Sequence, residues 1–235
     1  MTKPKRLHIA VPCYDAKLAV STAHSLDYEN RAMMQLGIES ETSYLPGMSL
    51  IHIVRNIQVY KFLNESKADK MAMVDSDVGW KMGTLIHLAH HNEHIVAAGV
   101  RRRKDPEDYA INWLDSGVEQ DPKTGLIEID TIGMALSVVT RECLETFRDK
   151  TPELAYEYEG QVHHGFFQCP INNGVALGED VFFCRKWREL GGKVWLDPRH
   201  FTTHTDGMKV FGGCVGQWLN GNLERTKAAM AVAAE

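Results

Sequence analysis

The stretch Lys70-Met71-Ala72-Met73-Val74-Asp75-Ser76-Asp77 decides the fold class of this chain. Its first five residues predict a short buried strand, and charged residues then end the strand abruptly. In an extended chain, side chains two residues apart point to the same side, so we expect Asp75 and Asp77 to face one place. Ligands bind at the carboxyl ends of the strands in open α/β sheets. The stretch therefore predicts an acidic ligand site at the end of a strand in such a sheet.

Two carboxylates this close together have two interpretations. They suit a hard divalent cation, Mn²⁺ or Mg²⁺, that keeps open coordination positions for phosphate. Alternatively, Asp77 is an ordinary cap, because it precedes a stretch that the pattern predicts to be helical. The other motifs of the chain favour the first interpretation.

Size and composition predict one globular domain with a sizeable core. The chain has 235 residues and a mass of 26.5 kDa, with 44% apolar and 24% charged residues. Its net charge of −5 gives no general attraction to nucleic acid or to anionic membranes, although Arg101-Arg102-Arg103-Lys104 is a local basic run. The five cysteines are scattered and odd in number, which predicts a reducing, cytoplasmic setting. No apolar run in the sequence approaches the length of a membrane span.

Strands and helices alternate over the first hundred residues. Apolar runs predict strands at 7–11, 38–44, 70–74 and 95–100, and helical spacing predicts helices at 16–36, 50–62 and 82–92. This alternation indicates a largely parallel, Rossmann-like sheet. The second half has shorter predicted elements, with strands at 109–114, 126–131, 134–139 and 194–196, and helices at 141–148 and from 178 onward. Residues 151–177 lack a sustained period, and Ala228 to Ala234 predict a helical or frayed tail.

Four separated motifs resemble those of a known family, and a fifth piece, Arg55-Asn56, precedes the acidic strand. They are Pro12-Cys13-Tyr14-Asp15 after the first strand, Asp75-Ser76-Asp77, Gly178-Glu179-Asp180 before a helix, His204 near the end, and Arg55-Asn56. In this order and spacing the chain resembles GT-A fold glycosyltransferases of the family 2 type, closest to the compact forms common in bacteriophage and viral genomes.

The resemblance covers roughly residues 6 to 206 and implies a fold and a reaction. The fold is α/β, a GT-A domain whose mixed, mostly parallel sheet is flanked by helices. Residues 1–235 would form a single domain, with a nucleotide-binding half at 1–100, an acceptor and catalytic half at 101–210 and a C-terminal tail at 211–235. The reaction is the metal-dependent transfer of a hexosyl or pentosyl group from a UDP- or GDP-sugar to an acceptor hydroxyl. Relatives modify glycans, proteins or modified DNA bases, in the cytoplasm of a bacterium or of a phage-infected host.

The resemblance also implies how the donor nucleotide binds. Pro12, Tyr14 and Asp15 would hold the base and the ribose, and Pro12 is also expected to stop the ladder of its strand. Arg55 would lie near the nucleotide or its phosphates. Ser76 would lie in the same donor site, between the two carboxylates of the acidic motif.

The remaining motif residues would carry the chemistry. By resemblance, Asp75 lies toward the ribose and the metal, Asp77 binds Mn²⁺ or Mg²⁺, and His204 completes the metal shell. Asp180, or else Glu179, matches the acidic residue that serves as base in inverting members. An acceptor hydroxyl is a poor nucleophile, so a carboxylate within reach has to take its proton.

Several of these residues have ordinary interpretations too. Asp180 could cap its helix, and His204 could be a surface histidine. The helical face that carries His87, His90, His91 and His94 is interpreted as solvated, because nothing nearby in the sequence supplies matched metal ligands. The basic run is either an exposed strand end or a phosphate or acceptor contact. Phe166, Phe167 and Trp113 could pack in the core or stack on a sugar or base.

Two other functions compete with glycosyl transfer. A nucleotidyltransferase would also place acidic pairs on nucleotide phosphates, but no Gly-rich, Lys-bearing phosphate loop follows the first strand. A non-catalytic nucleotide-sugar or glycan-binding module is a further alternative. The sequence keeps both acidic motifs, which argues against a chain that has lost its activity. The Gly-rich, aromatic segment Tyr156 to Val175 is predicted to be a mobile loop that closes over the bound donor and excludes water.

Overall fold

A computed structural model describes residues 4–222, and its centre is a seven-stranded sheet with helices on both faces. The strands are β1 (Arg6–Cys13), β2 (Glu39–Pro46), β3 (Lys70–Val74), β4 (Val78–Trp80), β5 (Ile95–Ala98), β6 (Ile111–Asn112), β7 (Ile127–Ile129), β8 (Thr131–Ile132), β9 (Leu136–Thr140), β10 (Ala155–Tyr158), β11 (Gln161–His164), β12 (Ile171–Asn172), β13 (Val175–Ala176), β14 (Val194–Asp197), β15 (Phe201–Asp206) and β16 (Lys209–Cys214). The helices are α1 (Val20–Gln35), α2 (Ile51–Glu65), α3 (Thr84–His90), α4 (Arg141–Lys150) and α5 (Glu179–Glu189), with a 3₁₀ turn at Pro152–Leu154.

The central sheet is mixed but mostly parallel. Its strand order is β2-β1-β3-β9-β5-β14-β7. β2, β1 and β3 pair in parallel, as do β5 and β14, whereas β9 runs antiparallel to both β3 and β5, and β7 runs antiparallel to β14. β3 therefore lies near the middle of the sheet, which explains why all five of its residues are buried. The α/β fold class with a mixed, mostly parallel sheet is confirmed.

Successive side chains of β3 point into two separate cores, as a strand with a period of two requires. Met71 and Met73 pack on the face that carries α2, α4 and α5. Ala72 and Val74 pack on the opposite face, against α1 and α3. With both faces covered by apolar side chains, the end of β3 is fixed in position, and so is the start of the acidic turn that follows it.

The segment after Asp77 is a strand and not a helix, so the helix-cap interpretation of Asp77 is wrong. β4 pairs antiparallel with β15, outside the central sheet, and α3 begins only at Thr84. Gly79 permits this pairing, because a Cβ there would lie 2.5 Å from Oγ1 of Thr203 and 2.8 Å from Cβ of Ser21. Apolar periodicity does not reveal so short a strand.

Pro12 does not stop its strand, in contrast to the prediction. It lies within β1 and is paired with Leu45 of β2, and Cys13 beyond it is still paired with Pro46. A parallel neighbour on one side needs no hydrogen bond from the proline nitrogen, so β1 can continue past Pro12 on the β2 side.

Residues 151–177 are more ordered than their composition predicts. β10 and β11 form one hairpin, and β12 and β13 form another. Phe166 and Phe167 are buried in the core, where Phe147 and Phe183 contact them. The prediction of a single mobile loop is therefore wrong for its middle part, since burying two phenylalanines fixes the chain around them. Trp113 also packs against this core.

The chain beyond residue 210 is partly integrated into the domain. Phe211, Cys214 and Val215 are buried, so these residues are not a tail. Residues 215–222 are helical, and the predicted Ala228 to Ala234 tail lies outside the described residues. Within residues 4–222, no helix is long and apolar enough to cross a membrane.

Glu29 connects α1 to the segment that follows the acidic turn. It has no exposed surface, and its carboxylate accepts hydrogen bonds from Nε1 of Trp80 at 3.1 Å, from the backbone N–H of Gly83 at 2.9 Å and from that of Ile86 at 2.8 Å. Three donors and no competing water make this carboxylate the anchor of β4 and of the first turn of α3.

We expect Glu29→Gln to lower the free energy of unfolding by about 1–3 kcal/mol, the cost of a buried donor left without an acceptor. The new amide NH₂ would face an N–H group in place of a carboxylate oxygen. Urea denaturation measures the effect. The exposed Glu65→Gln, at the end of α2, is the matched control and should change stability by less than about 0.5 kcal/mol. Equal stability of the two variants would contradict the anchoring role.

Candidate active site

A cavity of about 170 Å³ lies where β3 ends and α5 begins. Asp75, Gly133, Asp180 and His204 line it, together with Val100, Arg102, Ala110, Ile132 and Ala135. Gly133 lies close to the carboxylate, since a Cβ there would be 3.7 Å from Oδ2 of Asp180. A larger cavity of about 690 Å³ beside residues 212–222 has Glu107 as its carboxylate and none of the predicted site residues. The smaller cavity is therefore the one that brings predicted site residues together.

Arg55 is the cation at the centre of this site. It projects from α2 with its side chain almost fully buried, and its guanidinium forms ion pairs with Asp180, with Oδ1 of Asp75 at 3.0 Å and with Oε1 of Glu179 at 3.6 Å. Burial alone would lower the pKa of Arg55, but the carboxylates of Asp180, Asp75 and Glu179 raise it above its ordinary value. Arg55 thus stays charged and neutralises part of an acidic cluster.

Phe167 and Asn56 help to hold Arg55 in place. Its guanidinium carbon lies 5.6 Å from the centre of the Phe167 ring. The neighbouring residue, Asn56, accepts a hydrogen bond from the backbone N–H of Phe167 and donates one to its carbonyl, each at 2.9 Å. Arg55 therefore contributes its side chain to the site, and Asn56 fixes the backbone at Phe167 next to it.

Asp180 has an acidity suited to proton transfer. It stands in the first turn of α5 and its carboxylate is paired with Arg55. The N-cap residue is Gly178, which makes no side-chain cap hydrogen bond, so Asp180 is not the cap of its helix. Burial raises the pKa of Asp180 to about 6; Glu179 and Asp75 add to the rise, and Arg55 opposes it. A carboxyl group with this pKa exchanges protons near neutral pH.

Asp77 and His204 form a second group at the edge of the site. Oδ2 of Asp77 lies 3.4 Å from Nε2 of His204 and 3.0 Å from Nη1 of Arg103. Nδ1 of His204 lies 2.9 Å from the carbonyl oxygen of Arg101, which can only accept, so Nδ1 donates and Nε2 is the nitrogen directed at Asp77. Burial would raise the pKa of Asp77, but His204 and Arg103 lower it. Burial would lower the pKa of His204, but Asp77 raises it.

β15 explains why these two side chains meet. His204 is paired with Val78 of β4, and the backbone N–H of Thr205 donates to the carbonyl of Asp77 at 2.8 Å. The pairing of β15 with β4 therefore sets the position of His204 relative to the acidic turn. It is also the strand pairing that the sequence did not predict.

The three predicted metal ligands are not equivalent in this structure. Asp77 and His204 face each other, whereas Asp75 is paired with Arg55. Ser76 contributes its backbone: its carbonyl accepts hydrogen bonds from the N–H of Ala19 at 2.8 Å and from the hydroxyl of Thr22 at 3.1 Å. The acidic turn is thus tied to the start of α1.

Pro12, Tyr14 and Asp15, the residues predicted to hold the base and the ribose, lie at the carboxyl end of β1, beside the carboxyl end of β2. The side chain of Tyr14 is 66% exposed, and Tyr44 on β2 is also exposed. Asp15 accepts a hydrogen bond from the backbone N–H of Lys17 at 3.2 Å and is paired with its ammonium group at 3.3 Å. Pro12 lies inside β1. The structure thus leaves Tyr14 and Tyr44 free to stack on a planar ligand.

The basic run has a role that its composition did not reveal. Arg103 is paired with Asp77, and Arg102 lines the cavity. Arg101 donates to the carbonyl of Gly212 at 3.0 Å, and Lys104 is paired with Asp108 at 2.6 Å. Residues 102–104 are exposed, as one of the two interpretations predicted, but each side chain of the run has an acidic or carbonyl partner, and Arg102 and Lys104 share Asp108.

The histidines of α3 correct another prediction. Their helical face is not solvated, because His91 is buried and both His87 and His91 lie near the buried Asp197. Asp197 ends β14, more than a hundred residues further along the chain, so no local pattern could have paired it with α3.

Known proteins agree with this architecture. The sequence matches no protein-family model and no curated protein. Among solved structures, A197 from STIV is similar at a TM-score of 0.53 and 15% identity, over 86% of each chain. GalNAc-T7, solved with UDP, GalNAc and Mn²⁺, is similar at a TM-score of 0.50 and 11% identity, over 86% of this chain and 44% of that one. The inositol-1-phosphate CTP transferase from T. maritima has a TM-score of 0.46 at 8% identity, over 88% of this chain and 91% of that one. The fold is of the GT-A type, as the sequence predicted.

We expect the Asp180 carboxyl to titrate near pH 6 in the metal-free protein. Its pKa lies above the ordinary value of 3.8, so the folded protein binds more protons than the unfolded chain between about pH 4 and 6. The contribution of this group to stability is therefore present at low pH and is lost as the pH rises through 6. Carbon-13 NMR of the carboxyl, assigned by its loss in Asp180→Asn, measures the pKa. A midpoint below about 4.5 would contradict the effect of burial.

Proposed function

We propose that this chain is a metal-dependent glycosyltransferase that moves a sugar from a UDP- or GDP-sugar to an acceptor hydroxyl with inversion at the anomeric carbon. The observation that carries the proposal is one cavity of a GT-A fold that is lined by Asp180, with its raised pKa, by Asp75 and by His204, which in turn faces Asp77. A base, a cluster that recognises a nucleotide and a pair of metal donors are the three parts that such a transfer needs.

Asp77 and His204 would hold the cation. The fit rests on the donor set: one carboxylate oxygen and one imidazole nitrogen face each other, and the Arg101 carbonyl fixes the tautomer that leaves Nε2 as the ligand. Mg²⁺ prefers oxygen ligands, so an imidazole favours Mn²⁺ of the two. When bound, the cation supplies positive charge that stabilises the leaving diphosphate. Arg103 would then give up Asp77 and turn to a phosphate oxygen.

Asp180 would act as the base. The acceptor hydroxyl oxygen bonds to the anomeric carbon, the bond from that carbon to the diphosphate oxygen breaks, and the hydroxyl proton passes to the Asp180 carboxylate. The electron pair of the broken bond leaves with the nucleoside diphosphate. A base with a pKa of about 6 is largely ionised at neutral pH and is still basic enough to take the proton. Gly133 leaves room for the sugar beside this carboxylate.

Arg55 would hold the acidic residues apart in their working positions. Asp75, Asp180 and Glu179 would repel one another without a shared cation, and the repulsion would raise their pKa values. Arg55 is paired with both Asp75 and Asp180, and in this proposal Asp75 would face the donor and Asp180 the acceptor. Tyr14 and Tyr44 would stack on the base at the ends of β1 and β2.

We expect Asp77→Asn and Asp180→Asn to separate binding from turnover. The assay is release of free nucleoside diphosphate from a panel of nucleotide-sugars with Mn²⁺, and calorimetry measures binding of UDP or GDP with Mn²⁺. Asp77→Asn should weaken Mn²⁺-dependent nucleotide binding at least about tenfold. Asp180→Asn should lower kcat by about 10²–10⁴ and leave nucleotide binding within about twofold.

The exposed Asp115→Asn is the matched control and should behave as the unchanged protein does. Release of pyrophosphate from a nucleoside triphosphate incubated with a sugar phosphate, with no nucleoside diphosphate released from any nucleotide-sugar, would replace the proposal by a nucleotidyltransferase. Binding of a nucleotide-sugar with no turnover would indicate a binding module. Unchanged nucleotide binding in Asp77→Asn would remove Asp77 from the metal site.

The hairpin of β12 and β13 is a part of the predicted lid in which every residue from 171 to 175 is exposed. Ile171 and Val175 are 77% and 61% exposed, and the hairpin ends just before α5, which carries Glu179 and Asp180. An apolar hairpin at this place would cover the acceptor side of the cavity and exclude water from the donor.

We expect donor binding to protect this hairpin. Hydrogen exchange of the amides of 171–176 should slow at least about tenfold when UDP-sugar and Mn²⁺ are added, whereas the amides of 161–167 should be protected in both states. Asp77→Asn is the control, because it should remove the donor-dependent change. Equal exchange of 171–176 with and without donor would show that the hairpin is not a lid.

A further inference from the structure

The imidazoles of His87, His91 and His200 surround the buried carboxylate of Asp197, and none of these residues lines the cavity of Asp180. Asp197 has no exposed surface, and its Oδ2 lies 3.3 Å from Nε2 of His91. The same oxygen lies 3.4 Å from Nδ1 of His87 and 3.2 Å from Nε2 of His200. Those two nitrogens, of His87 and His200, are themselves 3.2 Å apart. Three imidazole nitrogens therefore lie within 3.4 Å of one carboxylate oxygen, and those of His87 and His200 also lie close to each other.

Two distant segments of the chain supply the cluster. His87 and His91 are four residues apart and lie on the same face of α3 and of the turn after it. Asp197 ends β14, and His200 directly precedes β15. Two histidines at this helical spacing, completed by ligands from elsewhere in the fold, are the arrangement found in helical zinc sites. The ligand atoms of His87, His91 and Asp197 all lie within 4.8 Å of one another. Those of His87, Asp197 and His200 lie within 3.4 Å of one another.

Hydrogen bonds alone do not satisfy these contacts. If Nδ1 of His87 and Nε2 of His200 both carry protons toward Asp197, two N–H groups oppose each other over 3.2 Å. If one of the two nitrogens is unprotonated, its lone pair faces the carboxylate oxygen. Each arrangement of the protons on neutral rings leaves one unfavourable contact. A cation at the centre would convert every lone pair into a ligand.

The separations fit zinc. Ligand atoms that lie 2.0–2.1 Å from a tetrahedral Zn²⁺ are about 3.3–3.4 Å from one another. Four of the six separations among these ligand atoms are 3.2, 3.2, 3.3 and 3.4 Å. His200 lies outside the mutually close group that His87, His91 and Asp197 form, so it would move toward His91 when the ion binds. We propose that His87, His91, Asp197 and His200 bind a zinc ion that fastens α3 to the turn between β14 and β15.

Arg199 is paired with the Asp197 carboxylate in this structure, so a metal ion would have to compete with it for Oδ2. Its Nε donates to Oδ1 of Asp197 at 2.7 Å, and its Nη2 donates to Oδ2 at 2.8 Å while lying 3.4 Å from Nε2 of His91. The side chain is 42% exposed, so its Nη2 end can turn to water at little cost. Nε would stay on Oδ1 and orient the ligand, as outer partners of metal-bound carboxylates do.

The role assigned to this ion is structural. Four protein ligands leave no open coordination position for a substrate. A cavity of about 370 Å³ borders His87 and His200 and gives the ion a path of entry. The ion would hold His200, and through it the start of β15, whose later residue His204 lies about 13 Å further along the strand. The inference does not depend on the proposed transferase reaction, since none of the four ligands lines the cavity of Asp180.

Cobalt and zinc test the site without any assay of activity. Chelator-treated full-length protein is titrated with Co²⁺, whose visible absorption is strong in a four-coordinate site, and then with Zn²⁺. The variant is His87→Gln, because His87 is the most exposed of the three histidines and its loss should not unfold the chain. His90→Gln, on the same helix but outside the cluster, is the matched control. His204→Gln controls for binding at the other candidate metal site.

We expect one Co²⁺ per chain with a four-coordinate spectrum, displaced by one Zn²⁺, and a higher Tm with Zn²⁺ than with chelator. His90→Gln and His204→Gln should reproduce all three results, whereas His87→Gln should lose at least about 100-fold in Zn²⁺ affinity and lose the Tm shift. A folded protein with no four-coordinate cobalt spectrum would overturn the proposal and leave a network of imidazolium groups around Asp197. A spectrum lost in His204→Gln but kept in His87→Gln would assign the ion to the Asp77 site.

Discussion

One buried guanidinium makes the acidic centre of this molecule possible. Arg55 is shared by Asp75, Glu179 and Asp180, which arrive from the end of β3 and from the first turn of α5. Removing three carboxylates from water without a cation would cost several kcal/mol and would protonate some of them. A shared arginine lowers that cost and fixes the orientation of each carboxylate, because its donors lie in one plane. Phe167 and Asn56 fix the arginine in turn.

The rest of the site depends on how the chain leaves β3. The acidic turn is tied to α1 through the carbonyl of Ser76, and it continues into β4 instead of crossing directly to a helix. β15 then pairs with β4 at the close approach that Gly79 permits and places His204 beside Asp77. The central sheet thus presents Asp75, and a separate three-stranded sheet presents the residues that would bind metal. The two parts are adjacent because β3 and β4 are three residues apart.

The sequence predicts those parts that rest on local patterns. The five buried residues of β3 and the two carboxylates after it were evident, as was the helix that begins at Glu179, because burial and a change of period mark them within a few residues. β4 is three residues long, and β15 alternates threonine with histidine and aspartate, so neither carries an apolar signal. For Phe166 and Phe167 the sequence leaves both core packing and ligand stacking open, because the glycines and histidines around them obscure the apolar pattern, and the structure buries both. The partners of the α3 histidines, Asp197 and His200, lie more than a hundred residues further along the chain, so no local sequence pattern connects them.

The order of the site residues along the chain has a consequence for biosynthesis. Arg55 and Asp180 are separated by 125 residues in sequence, and His204 follows later still. A ribosome adding about 5–20 residues per second needs roughly 7–30 seconds between Arg55 and His204, so during that interval Arg55 has emerged without Asp180. The first three parallel strands can pair early, since β1, β2 and β3 are contiguous, but the acidic centre closes only when α5 and β15 have been made. A chain that stops before His204 would therefore hold a sheet with an incomplete centre, and a competent site would report that α5 and β15 have both been made.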